Sequence, residues 1–297
     1  MTMSPSPAAL TAKPSLERLV SIRRCHGLGN VICLLPVLDQ LYRSGYHINL
    51  ITNPLWVNAL GELRPNFFYN LDLNQKTLDL DASTANLQPD EHRTDEFGRF
   101  LGLHPPFPRP LLEIPPQWTR PFEYLRGCIV FAPEGGHPSR NWPKEYVAEL
   151  AQQLTGKPLA LVGLDPEPPL PCDVDLREQL ELEDLFGILS VARAVITMDS
   201  AVLHITAALD IPTVAIFGGV DPRFRIRPDQ CVVAVRADLP CCPCNKNETC
   251  DQRYDCICTP GPRDIIHALE IARTTTRRLI YEVDPRSTSV SSGGRPR

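Results

Sequence analysis

The sequence predicts an α/β protein, with a parallel, doubly wound sheet in its second half and a smaller sheet of the same kind in its first. Three observations carry this. From Cys128 onward, short apolar and β-branched runs alternate with stretches of helical periodicity. From Ala194 to Pro222 a strand, a cap-rich turn, an apolar helix and a second strand follow one another without interruption. Near the N-terminus a glycine-bearing turn, Gly27-Leu28-Gly29-Asn30, joins an apolar run to a helical one.

In chain order, Arg18 to Ile22 reads as the first strand, and the glycine turn follows. Val31 to Tyr42 reads as a helix in spite of Pro36, and Ser44-Gly45 ends it. His47 to Thr52 is the second strand. From Asn53 to Arg126 the pattern is poorer, with short apolar pieces among polar and proline-rich segments. Pro105 to Pro110 and Pro115-Pro116 read as an extended connector between domains. Beyond it, Cys128 to Ala132 is a strand, and a helix follows through Leu154 with Pro143 suited to its first position. Leu159 to Val162 is a strand and Leu182 to Val191 a helix. Arg263 to Tyr281 reads as the final helix.

The central unit is the most informative stretch. Ala194 to Met198 forms a buried strand; Asp199 and Ser200 are good helix caps; Ala201 to Leu209 is a short apolar helix. Thr213 to Phe217 is the next strand, ending in Gly218-Gly219. A helix N-terminus at the carboxyl end of a parallel strand offers unpaired amides and partial positive charge, so a phosphate or diphosphate suits it. His204 lies four residues after Ser200 on the same face. Taken singly, these residues are better read as helix caps and an interior histidine; the ordered set points to a site. Gly27 and Gly29 let backbone amides approach a ligand, and a tight strand-to-helix turn explains them just as well.

Composition bounds the rest. The 297 residues suggest about two domains, and 43% hydrophobic with 22% charged residues is ordinary for a globular protein. A net charge of −5 argues against broad nucleic-acid binding. No run approaches the roughly 20 apolar residues a membrane helix needs, which leaves peripheral membrane contact open. Residues 1–17 read as a disordered leader without an export signal, so the expected location is cytoplasmic. Residues 283–297 read as a disordered tail.

Eleven cysteines are many for such a chain, and six fall between Cys241 and Cys258. Without an export signal a disulfide framework is disfavoured. A structural zinc or iron on Cys241, Cys244, Cys250 and Cys256 is expected, with Cys242 and Cys258 as spares. Free thiols and disulfides stand as the competing readings.

Three pieces in order carry a family resemblance: Arg140-x-Trp142-Pro143, then Asp199-Ser200 with His204 and Ala207-Ala208, then Phe217-Gly218-x-x-Asp221-Pro222. Together they resemble the donor half of glycosyltransferase family 9, whose best-known members are the ADP-heptose heptosyltransferases of lipopolysaccharide assembly. Gly27 to Asn30 with Pro36 is similar to that family's N-terminal loop, and the proline- and cysteine-bearing stretch after Pro240 to its C-terminal one. The resemblance spans residues 19–45 and 128–270. It implies the GT-B fold, two Rossmann-like domains facing across a cleft, with an acceptor domain at 18–115 and a donor domain at 116–268. The cysteine-rich loop falls at 240–260 and a C-terminal helix at 269–282.

The resemblance also implies roles. Asp199, Ser200, Ala201 and His204 would surround the donor diphosphate and sugar, with Gly29, Glu134, Ser139, Gly218, Gly219 and Asp221 bordering the same pocket. Arg140 would neutralise charge on the leaving diphosphate, as a transferase without a catalytic metal requires. The donor would be a nucleoside-diphosphate sugar, an ADP-sugar by preference, and the acceptor a glycan, lipid-linked or otherwise. One departure matters: the family's base aspartate is replaced here by Asn30, and an amide takes no proton at neutral pH. Three accounts stay open. Asn30 positions the acceptor while His26 or Glu134 takes the proton; or proton loss comes late; or the protein binds a nucleotide sugar without turnover. A dinucleotide oxidoreductase is disfavoured, since no G-x-G-x-x-G follows the first strand.

Overall fold

The structure is a computed structural model, and it describes residues 18–72, 76–81, 90–245, 250 and 253–286. The expected leader and the end of the expected tail, from residue 287, lie outside the described residues.

The first sheet is built from β1 (Leu19–Arg23), β2 (His47–Ile51), β3 (Phe68–Tyr69) and β4 (Thr77–Asp79). Its order is β3-β2-β1-β4, all parallel. Helix α1 (Leu28–Arg43) follows β1, and α2 (Val57–Leu63) and α3 (Arg93–Phe100) complete this half. The glycine turn is shorter than the sequence suggests. Gly27, at φ 74°, is the N-cap, so Gly29 and Asn30 belong to the first turn of α1. Pro36 sits inside α1.

After α4 (Pro116–Thr119) the second sheet begins, and its strands are β5 (Ile129–Ala132), β6 (Leu159–Leu161), β7 (Val174–Asp175), β8 (Ala194–Met198), β9 (Thr213–Phe217), β10 (Val232–Ala237) and β11 (Leu279–Val283). Their order is β11-β10-β9-β8-β5-β6-β7, again parallel. Its helices are α5 (Lys144–Gln153), α6 (Leu182–Val191), α7 (Ala201–Ala208), α8 (Asp255–Cys258) and α9 (Pro262–Ala272). The central strands are buried on both faces, so successive residues enter different cores: Val130 and Val195 face one, Phe131 and Ile196 the other.

Two expectations need correcting here. The final helix stops at Ala272, and the segment expected to continue it to residue 282 instead forms edge strand β11 beside β10. Thr274, Thr275 and Thr276 are poor helix formers, and Leu279 to Val283 finds an open sheet edge to pair with. The second half, expected to end at residue 268, therefore runs on through β11. The proline-rich connector is also no free spacer. Phe107 is buried against Gly98 of α3, and its amide donates to Asp95 Oδ1 at 3.0 Å.

The two halves share one apolar cluster. Leu28, Val31, Ile32 and Leu35 of α1 pack with Ile205 and Ala208 of α7, in continuity with Ile22 and Leu50 of the first sheet and Val130 and Val195 of the second. At roughly 25 cal/mol per Å² of apolar surface, such a seam is the main force holding the helices together. It brings the N-termini of α1 and α7 to the same place. Ion pairs at its margin, Arg227–Asp95 at 2.8 Å and the Arg109–Asp210 and Arg223–Asp90 contacts, add little by comparison.

Candidate functional site

In the second sheet the strand order reverses between β5 and β8, which places a crevice beyond their carboxyl ends. Both strands deliver charged residues there. Asp199 follows β8 and is buried, and Ser200 is the N-cap of α7. Its hydroxyl does not cap the helix but lies 3.1 Å from Thr197 Oγ1, which leaves the first amides of α7 without a side-chain cap. Those amides and the helix dipole favour an anion.

Arg140 arrives from β5 through a short 3-10 turn, Pro138–Arg140, opened by His137. Its Nε lies 3.4 Å from Asp199 Oδ2, and its Nη1 donates to the Asp199 carbonyl at 3.2 Å. Arg225 approaches from the other side, Nε to Asp199 Oδ1 at 3.4 Å. Burial by itself would push the Asp199 carboxyl up, but Arg225 and Arg140 outweigh it and hold the group below the ordinary aspartate value. Asp199 Oδ2, Arg140 Nε and Arg225 Nε are buried and find no hydrogen-bond partner among the described residues. Buried polar groups are rarely left so, and here three converge on one helix N-terminus.

His204 lies a turn further along α7, with Nδ1 3.3 Å from Cys33 Sγ of α1. Burial pushes its imidazole down to about 3, Arg225 adding to the effect and Asp199 opposing it. The ring is therefore neutral at neutral pH. Gly218, at the end of β9, lies under Ser139: a Cβ there would come within 2.1 Å of the Ser139 carbonyl, so only glycine lets the two loops meet. Gly219 accepts a 2.7 Å hydrogen bond from the Asn245 amide.

The remaining expected residues divide. Glu134 uses both carboxylate oxygens to accept the amides of Leu164 and Asp165, and borders a cavity of about 290 Å³ with Asn141, Lys144 and Arg177. Asp221 caps the turn Pro222–Phe224 and pairs with Arg223 at 2.6 Å, so its carboxylate is committed to its own loop. Trp142 packs, donating to the Pro260 carbonyl at 2.8 Å. From the first half, Gly29 touches His204, and the Asn30 side chain folds back over Gly27. His26 stands exposed on the same loop, 3.3 Å from Asp81.

The cysteines depart from expectation. Cys256 interacts directly with Cys242, a residue held only as a spare, while Cys241 and Cys244 are exposed. Cys250 Sγ instead accepts the Tyr254 amide at 3.3 Å. Among the described residues no three His, Cys, Asp or Glu side chains gather to hold a metal. The expected four-thiol set is therefore not assembled. The contact between the two thiols holds Cys256 down and pushes Cys242 up, and both lie beside Gly218.

Sequence reading missed Arg225. Arg223-Phe-Arg225-Ile-Arg227 alternates basic and apolar residues straight after Asp221-Pro222, and that alternation is the pattern that could have found it. Asp81 and the buried His92 at the start of α3 carried no comparable pattern.

Two parallel Rossmann-like sheets, meeting at their strand ends around an arginine-lined helix N-terminus, define a molecule of the GT-B class. The chain belongs to glycosyltransferase family 9 (heptosyltransferase), whose model matches residues 70–255. Lipopolysaccharide heptosyltransferase 1 of Pseudomonas aeruginosa is 29% identical over 129 residues, 38% of this chain and 34% of that protein. The match thus spans about a third of the curated relatives' length. Among solved structures, a family 9 glycosyltransferase from Veillonella parvula aligns with a TM-score of 0.66 at 15% identity, covering 86% of this chain and 97% of that one. The Escherichia coli heptosyltransferase WaaC with ADP-2-deoxy-2-fluoro heptose aligns at 0.60 and 15% identity, covering 85% and 99%. At such identities the likeness shows the fold.

Proposed function

We propose that this protein is an inverting glycosyltransferase that moves a heptose from ADP-heptose to a saccharide acceptor of the lipopolysaccharide type. The observation that carries the reading is the buried Asp199 held between Arg140 and Arg225 at the N-terminus of α7. Departure of a nucleoside diphosphate leaves negative charge, and preorganised cations and amides stabilise it most where water is excluded. In this reading the α7 amides of Ser200 and Ala201 meet the diphosphate. Arg140 and Arg225 supply the positive charge a metal would otherwise bring, and neutral His204 offers a hydrogen bond without adding charge. Glu134 and the cavity beside it take the nucleoside. The named relatives and the ADP-sugar complex of WaaC support the donor class.

A structural zinc or iron is left out of this reading, because the described thiols form the Cys242–Cys256 pair against Gly218 and not a ligand set. No helix among the described residues is long and apolar enough to cross a membrane, and the reading keeps the reaction on the cytoplasmic side. Incubation with ADP-heptose and lipopolysaccharide from a heptose-deficient strain, with and without EDTA, tests it. ADP release with heptose transfer, unaffected by EDTA, is expected. Donor binding without transfer, or strict dependence on added Mg²⁺ or Mn²⁺, would overturn it.

A further inference from the structure

In the first sheet, too, the strand order reverses, between β1 and β4, and the crevice beyond those two strands receives His26 and Asp81. Asp81 follows β4 and its side chain is only 14% exposed. Its Oδ2 accepts the Cys25 amide at 2.9 Å, and its Oδ1 accepts the His26 amide at 3.3 Å. Arg24 Nη1 stands 3.4 Å from Oδ1, and Arg23 Nε 4.0 Å from Oδ2. Burial alone would raise the Asp81 carboxyl, but these amides and Arg24 outweigh it and hold it ionised. The same Oδ1 lies 3.3 Å from His26 Nδ1, while the His26 side chain is 83% exposed.

A fixed carboxylate on Nδ1 sets the tautomer: Nδ1–H donates to Asp81, and Nε2 keeps its lone pair. His26 precedes Gly27, over which Asn30 folds, and stands three residues before Gly29, which touches His204 of the other half. It therefore sits where the first half's loop meets the donor corner. The other candidate bases are spent. Glu134 accepts two loop amides, Asp199 is clamped by two arginines, the buried His204 beside Cys33 resists taking a proton, and Asn30 is an amide.

We infer that His26 is the general base of the transfer, with Asp81 as its positioning residue; this rests on the transferase reading above. As the acceptor oxygen bonds to the sugar's anomeric carbon, His26 Nε2 takes the hydroxyl proton. The bond from that carbon to the diphosphate oxygen breaks, and its electron pair leaves with the nucleoside diphosphate. The proton then passes from exposed His26 to solvent, and Asp81 balances the imidazolium while it lasts.

The test compares the full chain with His26→Gln, His26→Ala and Asp81→Asn, using ADP-heptose and heptose-deficient lipopolysaccharide across pH. A positioned base contributes about 10²–10⁴-fold, so His26→Gln is expected to lose about 10²-fold or more in kcat/KM, with donor affinity by calorimetry unchanged. The acid limb of the pH profile should vanish in the same variant. Added imidazole should restore part of the His26→Ala activity, which a folding defect in that variant would not allow, while Asp81→Asn, which keeps the imidazole, should lose activity without being rescued. Wild-type transfer with His26→Gln equally active and its pH profile unaltered would overturn the inference alone. A wild type that transfers nothing would overturn the transferase reading and this inference with it.

Discussion

Gly29, in the first turn of α1, lies so close to the His204 imidazole that a Cβ at residue 29 would come within 2.2 Å of ring atom Cδ2. The contact joins the two halves at the point where their helix N-termini converge, and neither partner has room to yield. His204 is backed by Cys33 and is itself buried. Gly29→Ala therefore overpacks the seam. Overpacking typically costs about 1–3 kcal/mol, read as a lower Tm, and transfer activity should fall with it as the halves are pried apart. A Gly29→Ala protein with unchanged Tm and activity would show that the seam gives more freely than this geometry allows.

Arg140 reaches Asp199 with an Nε that has no hydrogen-bond partner among the described residues. If that nitrogen serves the departing diphosphate, Arg140→Ala should lower kcat by about 10²–10³-fold, the usual loss for one preorganised donor group. Donor affinity should weaken by much less. Equal losses in kcat and donor binding would make Arg140 a binding group only.

The acid sensitivity of the fold follows from its buried histidines. His204 is pushed down to about 3 from an ordinary 6.5, so between those values the unfolded chain binds a proton that the folded one does not. Stability then rises with pH across that window and is lost as pH falls, by about 1.4 kcal/mol per pH unit for one such proton. His92 is shifted in the same direction by burial and Arg227. Asp199, below its ordinary value, adds a loss of the same sign at still lower pH. Chemical denaturation between pH 7 and 4 should show a slope in wild type that His204→Gln reduces by about 1.4 kcal/mol per unit; identical slopes would mean that His204 is not held neutral.

Asn30 offers a way to move the base. Its amide donates to the Gly27 carbonyl in the first turn of α1, where the helix dipole favours a carboxylate. Asn30→Asp should be active, and the double variant His26→Gln, Asn30→Asp should regain about tenfold or more over His26→Gln alone. A folded double variant as slow as the single one would place residue 30 out of reach of the acceptor hydroxyl.

How much of this was legible in the chain differs by element. Ala194–Met198, Leu182–Val191 and Thr213–Phe217 form with the bounds their own residues suggest, the two strands as short, largely apolar runs between strong punctuation and the helix as apolar residues recurring at helical spacing. Asp199, Ser200 and His204 were readable as an ordered set for the same reason: one local strand–cap–helix unit positions all three. The edge strand Leu279–Val283 was not, since a strand at an edge exists only by virtue of the neighbour it pairs with.

Sequence by itself thus determined the α/β class, the strand–cap–helix corner after β8 and the resemblance to family 9, each a property of contiguous residues. Only the tertiary structure decided which side chains meet across the fold: Arg225 on Asp199, Gly29 on His204, Cys242 on Cys256, and Asp81 behind His26. Those pairs lie from 14 to 175 residues apart. Nothing local encodes such a pairing; it is fixed by which strands lie adjacent and how two helices pack. Cys241 was expected on the metal and Cys242 was not, yet Cys242 is the one beside Cys256 while Cys241 is exposed. Which of two neighbouring thiols faces inward depends on the path of a loop, and side-chain chemistry alone does not set it.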